Sequence, residues 1–274
     1  MVTKKDYTAE AVEAARSVLI ELIHLLGEYR DHIVVVGGWV PDLLFGNKKT
    51  PHVGSMDVDL ALDHRSLRDE GYKTIRKLLL NRGYEEAEQP FVFERKIEGK
   101  DITVEVDFLA GEYGGTGKGH RHQTISEQDM RPRKARGCDL VFENPEQITV
   151  EGELPGGAKD AVKLRIASIV PFIIMKAMAL HDRIKEKDAW DIYYCIQNYP
   201  DGIDALAEEF KPHIEHALVK EGLEKIRDKF ASEKHMGPKF VADFEELDDP
   251  EEREILERDA YEKVTYLLEK LGVI

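Results

Sequence analysis

The sequence predicts an α+β protein, with a mixed sheet flanked by helices over residues 1–166 and an all-helical C-terminal domain over residues 167–274. Three observations carry this division. Short apolar or alternating runs of strand type recur as far as Ile166. Stretches with apolar residues at helical spacing lie before and between them. From Ser168 almost to the end the period is helical throughout.

Each element has a local reason. Thr8 to Arg30 carries Val12, Ala15, Leu19, Leu22 and Leu26 on one stripe, an amphipathic helix. Ile33 to Val36 is an uninterrupted β-branched run, which reads as a strand buried on both faces. It stops at Gly37-Gly38, and Trp39 to Phe45 follows as a short helix with Pro41 in its first turn. A polar loop, Gly46 to Ser55, leads to a second strand, Met56 to Leu62. Ser66 is placed to cap a helix running to about Asn81, closed by Gly83. Phe91–Ile97 and Ile102–Leu109 form a hairpin across Glu98-Gly99-Lys100. Further strand pieces are expected at Asp139–Glu143, Ile148–Val150 and Ala161–Ile166.

Composition narrows the function classes. The chain has 274 residues, of which 42% are hydrophobic and 34% charged, enough apolar surface for a core and too much for a disordered chain. The longest uncharged apolar run, Ile166 to Met175, is about half of the ~20 residues a membrane span needs, and no signal peptide opens the chain. Cys138 and Cys195 have no metal or redox spacing. A soluble protein of a reducing cytoplasm is expected. The 39 Lys+Arg and 54 Asp+Glu leave a formal charge of −15, which argues against nucleic acid binding over the whole surface. The charge is uneven, however. Val241 to Ala260 carries ten carboxylates against two arginines, while Lys118 to Arg136 carries six Lys/Arg against Glu127 and Asp129. A polyanion is therefore acceptable at one place.

The chemistry gathers on Gly37-Gly38, on Asp57-Val58-Asp59 and on Asp107. Alternate side chains of a strand share a face, so Asp57 and Asp59 project together while Val58 and Leu60 face the core. Asp107 lies in a second strand with apolar residues on its other face. If the strands are neighbours, three carboxylates converge and require a cation among them. Oxygen-only ligation completed by substrate phosphates suits Mg²⁺. Gly37-Gly38 sits at a strand-to-helix turn, where bare backbone admits phosphate oxygens to N–H groups.

In this order the motifs resemble the nucleotidyltransferase superfamily of the DNA polymerase β type. That pattern is an apolar strand, Gly-Gly or Gly-Ser, a short helix, Asp-x-Asp on the next strand and a later third Asp. The resemblance implies two Mg²⁺ ions on Asp57, Asp59 and Asp107, and an NTP whose NMP is moved to an acceptor hydroxyl with release of pyrophosphate. Gly38 stands where many members place a phosphate-binding Ser, so backbone donors would serve instead.

In the helical half, Lys176, Leu180, Arg183 and Lys187 fall at steps of four, three and four, one face if the helix is continuous. A Lys inside an apolar stretch either snorkels or is aimed at an anion. The Lys176, Arg183, Lys187, Asp188 and Asp191 block is similar to the C-terminal motifs of the AbiEii/AbiGii toxins of toxin–antitoxin and phage-defence systems. On that likeness Lys176 and Arg183 would hold the triphosphate, and Asp188 or Asp191 would orient the acceptor or a binding-site base. Asp188 has a second reading, as a simple partner of Lys185 or Arg183. The likeness implies an RNA acceptor, a tRNA 3′ end first, and a protein antitoxin as a further partner. The basic loop over residues 118–136 would be a mobile flap on phosphates or RNA, its alternative being plain solvated loop. The stretch from Gly37 through His52 to Asp57 is also similar to antibiotic nucleotidyltransferases, which keeps a small-molecule acceptor as the alternative. A non-catalytic relative that binds nucleotide or a partner is a third reading, weakened by retention of all three carboxylates.

Overall fold

Four consecutive β-branched residues make the strand around which the sheet is ordered. The computed structural model describes residues 3–46, 50–67, 74–115 and 119–274. Helix α1 (Ala9–Leu25) is capped by the Thr8 hydroxyl, which accepts from the Ala11 N–H at 3.2 Å. It ends five residues earlier than the stripe predicts, because Gly27 opens a 3-10 turn that runs to His32. Strand β1 (Ile33–Val36) follows, buried at all four positions, and then α2 (Trp39–Phe45) and β2 (Val58–Leu62).

The remaining strands are β3 (Glu85–Glu86), β4 (Val92–Lys96), β5 (Thr103–Ala110), β6 (Arg133–Lys134), β7 (Glu146–Glu153) and β8 (Lys159–Ile166). Their order is β3-β4-β5-β2-β1-β8-β7, with β6 added on β5. The sheet is mixed: β1 runs antiparallel to β2 and parallel to β8, and β2 runs parallel to β5. This is the expected α+β architecture.

Two expectations are corrected in this part of the chain. Among the described residues the helix expected from Ser66 to Asn81 is α3 (Ile75–Arg82), capped by Thr74. Ser66 instead donates to Asp63 at 2.6 Å in a turn, and residues 68–73 lie outside the described part. Gly83 closes α3 with φ +91° as its position implies. The strand expected at Asp139–Glu143 is a 3-10 turn (Cys138–Phe142) entered through Gly137 at φ +86°. It buries the successive residues Leu140 and Val141, which an alternating strand does not do.

The chain divides into two compact units. One comprises Tyr7–Val40 and Gly54–Ser168 and contains the sheet. The other comprises Met1–Asp6, Pro41–Val53 and Ile169–Ile274. Its helices are α4 (Ile169–Arg183), α5 (Glu186–Asn198), α6 (Ile203–Phe210), α7 (Ala217–Lys229), α8 (Met236–Glu245) and α9 (Pro250–Lys270). The continuous helix through Lys176 and Lys187 is a further correction. The chain breaks at Ile184, whose φ is +52°, so Lys187 belongs to α5. The acidic stretch becomes the end of α8 and the start of α9. Asp249 caps α9 over Pro250, and Glu251 and Glu252 in the first turn suit its dipole. Several of the acids there are matched within the unit, Asp243 by Arg253 at 2.5 Å and Glu257 by Lys234 at 3.1 Å.

Candidate active site

The turn after β1 sets the first feature of the site. Gly37 has φ +71°, a conformation that L side chains rarely adopt. A Cβ there would overlap the carboxylate of Asp59. Glycine is thus required twice over, by the backbone angle and by the close approach of the acid. Gly38 is buried at the entry to α2. Register explains the approach, since Val36 at the end of β1 is the antiparallel partner of Asp59.

Asp57 stands just before β2 and is exposed. Its carbonyl accepts a hydrogen bond from the indole Nε1 of Trp39 at 2.8 Å, and its carboxylate accepts one from the Ser55 hydroxyl. Trp39 is 1% exposed. It is therefore a buried prop under the backbone of Asp57.

Asp107 lies on β5 as the direct parallel partner of Asp59. Paired residues of neighbouring strands project to one face about 4.8 Å apart, so the two carboxylates form an anionic pair. Oxygen donors of this kind fit Mg²⁺. Among the described residues no three His, Cys, Asp or Glu side chains are clustered closely enough to hold a metal ion. Asp57 and Asp107 have partners within the protein: the Ser55 hydroxyl donates to Asp57, and Arg133 donates to Asp107 Oδ2 at 2.6 Å. Arg133 also lies over the Phe91 ring, 5.7 Å from its centroid.

Arg133 comes from the basic stretch that the sequence reading expects as a flap. Its described residues are hydrogen-bonded to each other and to the sheet. Gln123, wholly buried, donates from Nε2 to the carbonyls of Gly111 and Gly114 at 2.8 and 3.0 Å. Asp139 accepts from the Glu112 N–H at 2.9 Å. The Lys134 N–H donates to the Arg121 carbonyl, and β6 pairs with the end of β5. Arg121 and Arg131 are exposed and Lys134 is half-buried. Desolvation, Arg131, His120 and Lys134 together lower the His122 pKa, a sign of how closely the cations gather. Arg136 pairs with Glu112 at 2.6 Å, and Lys118 lies outside the described residues.

The second group of expected site residues belongs to the helical unit and forms a buried ionic network. Lys176 reaches Asp191 at 2.6 Å and Asp188 at 3.1 Å, and is itself buried. Arg183 holds Asp188 through two donors, at 2.7 and 2.8 Å, so Asp188 pairs with Arg183 as one sequence reading had it. Asp191, wholly buried, also meets Lys187 at 3.0 Å and His52 at 2.9 Å. Burial pushes Asp191 up, but Lys176 and Lys187 outweigh it and hold its pKa well below the carboxylate range. Burial likewise pushes Lys176 down, and Asp191 and Asp188 more than restore it. His52 lies between Trp190 and Tyr194, with ring centroids at 5.0 and 4.9 Å. Burial, aided by Lys187, lowers it to about 4, so it is a neutral donor to Asp191. Among these groups Arg183 is the most open, its side chain 43% exposed.

Sequence reasoning missed three partners: Arg133 on Asp107, Trp39 under Asp57 and His52 on Asp191. A buried His beside an aromatic helix face had no spacing signal, because it lies 139 residues from its acid.

A family model described as "Nucleotidyl transferase AbiEii toxin, Type IV TA system" matches residues 24–264 of the 274. No curated protein and no solved structure matches the chain.

Proposed function

The chain belongs to the AbiEii nucleotidyl transferase toxin family, and from that premise we propose that it moves an NMP from an NTP to an RNA hydroxyl, a tRNA 3′ end first, in a reaction dependent on Mg²⁺. The observation that carries the reading is the register that sets Asp59 against Asp107, beside a glycine turn with no room for a side chain. Asp57, Asp59 and Asp107 would hold two Mg²⁺ ions. When bound, such ions polarise the α-phosphate and ease deprotonation of the acceptor hydroxyl. A bond forms from the acceptor oxygen to the α-phosphorus, the α–β phosphoanhydride breaks, and pyrophosphate leaves.

The chain's own groups have separate tasks. Gly37 lets the Asp59 carboxylate lie against the turn, and any phosphate contact at Gly37-Gly38 would be through backbone N–H groups in place of a hydroxyl. Trp39 fixes the backbone from which Asp57 projects. Arg183, paired with Asp188 and with its side chain 43% exposed, is the cation assigned to a phosphate, while Lys176 and Asp191 act as positioning residues through their mutual pairing. The RNA reading is supported by the cations around β6, because β6 is bonded to the strand that carries Asp107. Toxins of this family are described with type IV toxin–antitoxin systems, so an antitoxin is the expected cellular partner.

The test is transfer of label from each of the four α-³²P NTPs, with Mg²⁺, to total tRNA. Labelled tRNA supports the reading. Label on amino- or hydroxyl-rich small molecules, with none on RNA, moves the acceptor to the antibiotic-modifying type. RNA binding that is indifferent to salt between low and moderate concentration removes the basic cluster from the account.

A further inference from the structure

Arg133 pairs with Asp107 at 2.6 Å within the candidate site. Arg133 is one of several cations in its stretch, and Arg136 has Glu112 as a partner outside the candidate site. Arg133 instead takes a carboxylate that the reaction needs. Its backbone is anchored, since Arg133 is the parallel partner of Leu109 at the end of β5. From there the side chain reaches back along β5 to Asp107. The guanidinium is nevertheless 36% exposed, and the Asp107 side chain 21%. Phe91 offers the guanidinium an aromatic face at 5.7 Å. An anchored backbone with an open side chain allows rotation without unfolding. A guanidinium fork also fits a carboxylate and a phosphate equally well.

Asp59, directly opposite Asp107, makes the consequence specific. Two carboxylates in register favour a cation between them, and a guanidinium bonded to Asp107 competes with a divalent ion for the same oxygens. Resting on the metal-dependent reading above, we propose that Arg133 is an exchanging counter-charge. In the nucleotide-free protein it holds Asp107; when a nucleoside triphosphate arrives it turns to a phosphate oxygen and leaves Asp107 to the divalent cation. Cation and triphosphate then favour each other's binding through one side chain, with the reciprocity that linkage requires. The site is kept from holding a tightly bound ion before substrate is present.

Two binding measurements on the full chain test this without turnover. The first is Mn²⁺ binding by electron paramagnetic resonance in the absence of nucleotide. The second is binding of inorganic triphosphate in EDTA by calorimetry. Arg133→Gln should bind Mn²⁺ about fivefold more tightly than the unmodified chain and triphosphate about tenfold more weakly. Arg133→Lys, which keeps a charge but loses the fork, should fall between in both. Asp107→Asn releases Arg133 and should tighten triphosphate, an arm that does not depend on the fold of the Arg133 variants. Mn²⁺ affinity unchanged or weakened in Arg133→Gln, or triphosphate affinity unchanged in Asp107→Asn, overturns the exchange. The metal reading itself fails by a different sign, namely Mn²⁺ binding that Asp59→Asn leaves intact.

Discussion

Gly37 and Asp59 touch so closely that the carboxylate occupies the space where any other residue at 37 would carry its Cβ. The acid is therefore located by the backbone of the preceding strand's turn and not by its own rotamer alone. Gly37→Ala is expected to destabilise the protein by ~2 kcal/mol, from the left-handed φ of +71° and the displaced acid. Displacement of a reacting group by about 1 Å is worth about a hundredfold in rate, and label transfer should fall at least that far. Gly27→Ala, with nothing within 4 Å of its Cβ position, is the control and should leave both unchanged.

Trp39→Phe removes the 2.8 Å bond to the Asp57 carbonyl while keeping most of the buried ring. A stability loss of about 1–2 kcal/mol is expected from the lost bond and the smaller side chain. Label transfer should fall by more than the folded fraction does, which separates positioning of Asp57 from general packing.

Asp191 and Asp57 should behave oppositely under urea. Asp191→Ala takes from buried Lys176 its nearer anion, leaving it Asp188 alone, and removes the partner of Lys187 and His52, a loss of about 3 kcal/mol for a broken buried ionic network. Asp57→Ala alters an exposed residue and should shift stability by no more than ~0.5 kcal/mol while abolishing transfer. Equal stability losses in the two variants would contradict the separation of buried network from reacting carboxylates.

His52 makes stability fall on acidification. Unfolded, the imidazole takes up a proton below its ordinary 6.5, whereas burial keeps the folded form neutral down to about 4. The unfolded state therefore binds more protons in that window, and unfolding free energy declines as pH falls from 6.5 towards 4. The contribution is about 3 kcal/mol for a group so fully buried. Urea unfolding at several pH values should show the slope, and His52→Gln should lose most of it.

Much of this was legible in the chain. Ile33–Val36 could be nothing but a buried strand, Gly83 closes a helix by its position, and Asp57, Asp59 and Asp107 stand out by type and order. The legible features are those with local causes: period, cap and turn. The partners were not legible. Arg133 meets Asp107 across 26 residues through a two-residue strand, too short to leave a periodic signature. The break at Ile184 carries no Gly or Pro, so the helical period runs through it unmarked. Lys176 reads as a cation among apolar neighbours, and only the tertiary fold reveals that its anions are the chain's own Asp188 and Asp191.

The central claim is that Asp59 and Asp107, paired across two strands, do chemistry and do not merely share a surface. The most direct measurement is the single-turnover rate of label transfer from an α-³²P NTP to tRNA, in the unmodified chain and in Asp59→Asn, with unfolding free energy measured on both. The account predicts a fall of at least about a thousandfold in rate, the scale of removing an electrostatic stabiliser, with stability unchanged or raised as repulsion is relieved. Transfer within about tenfold of the unmodified chain by a folded Asp59→Asn protein would contradict it.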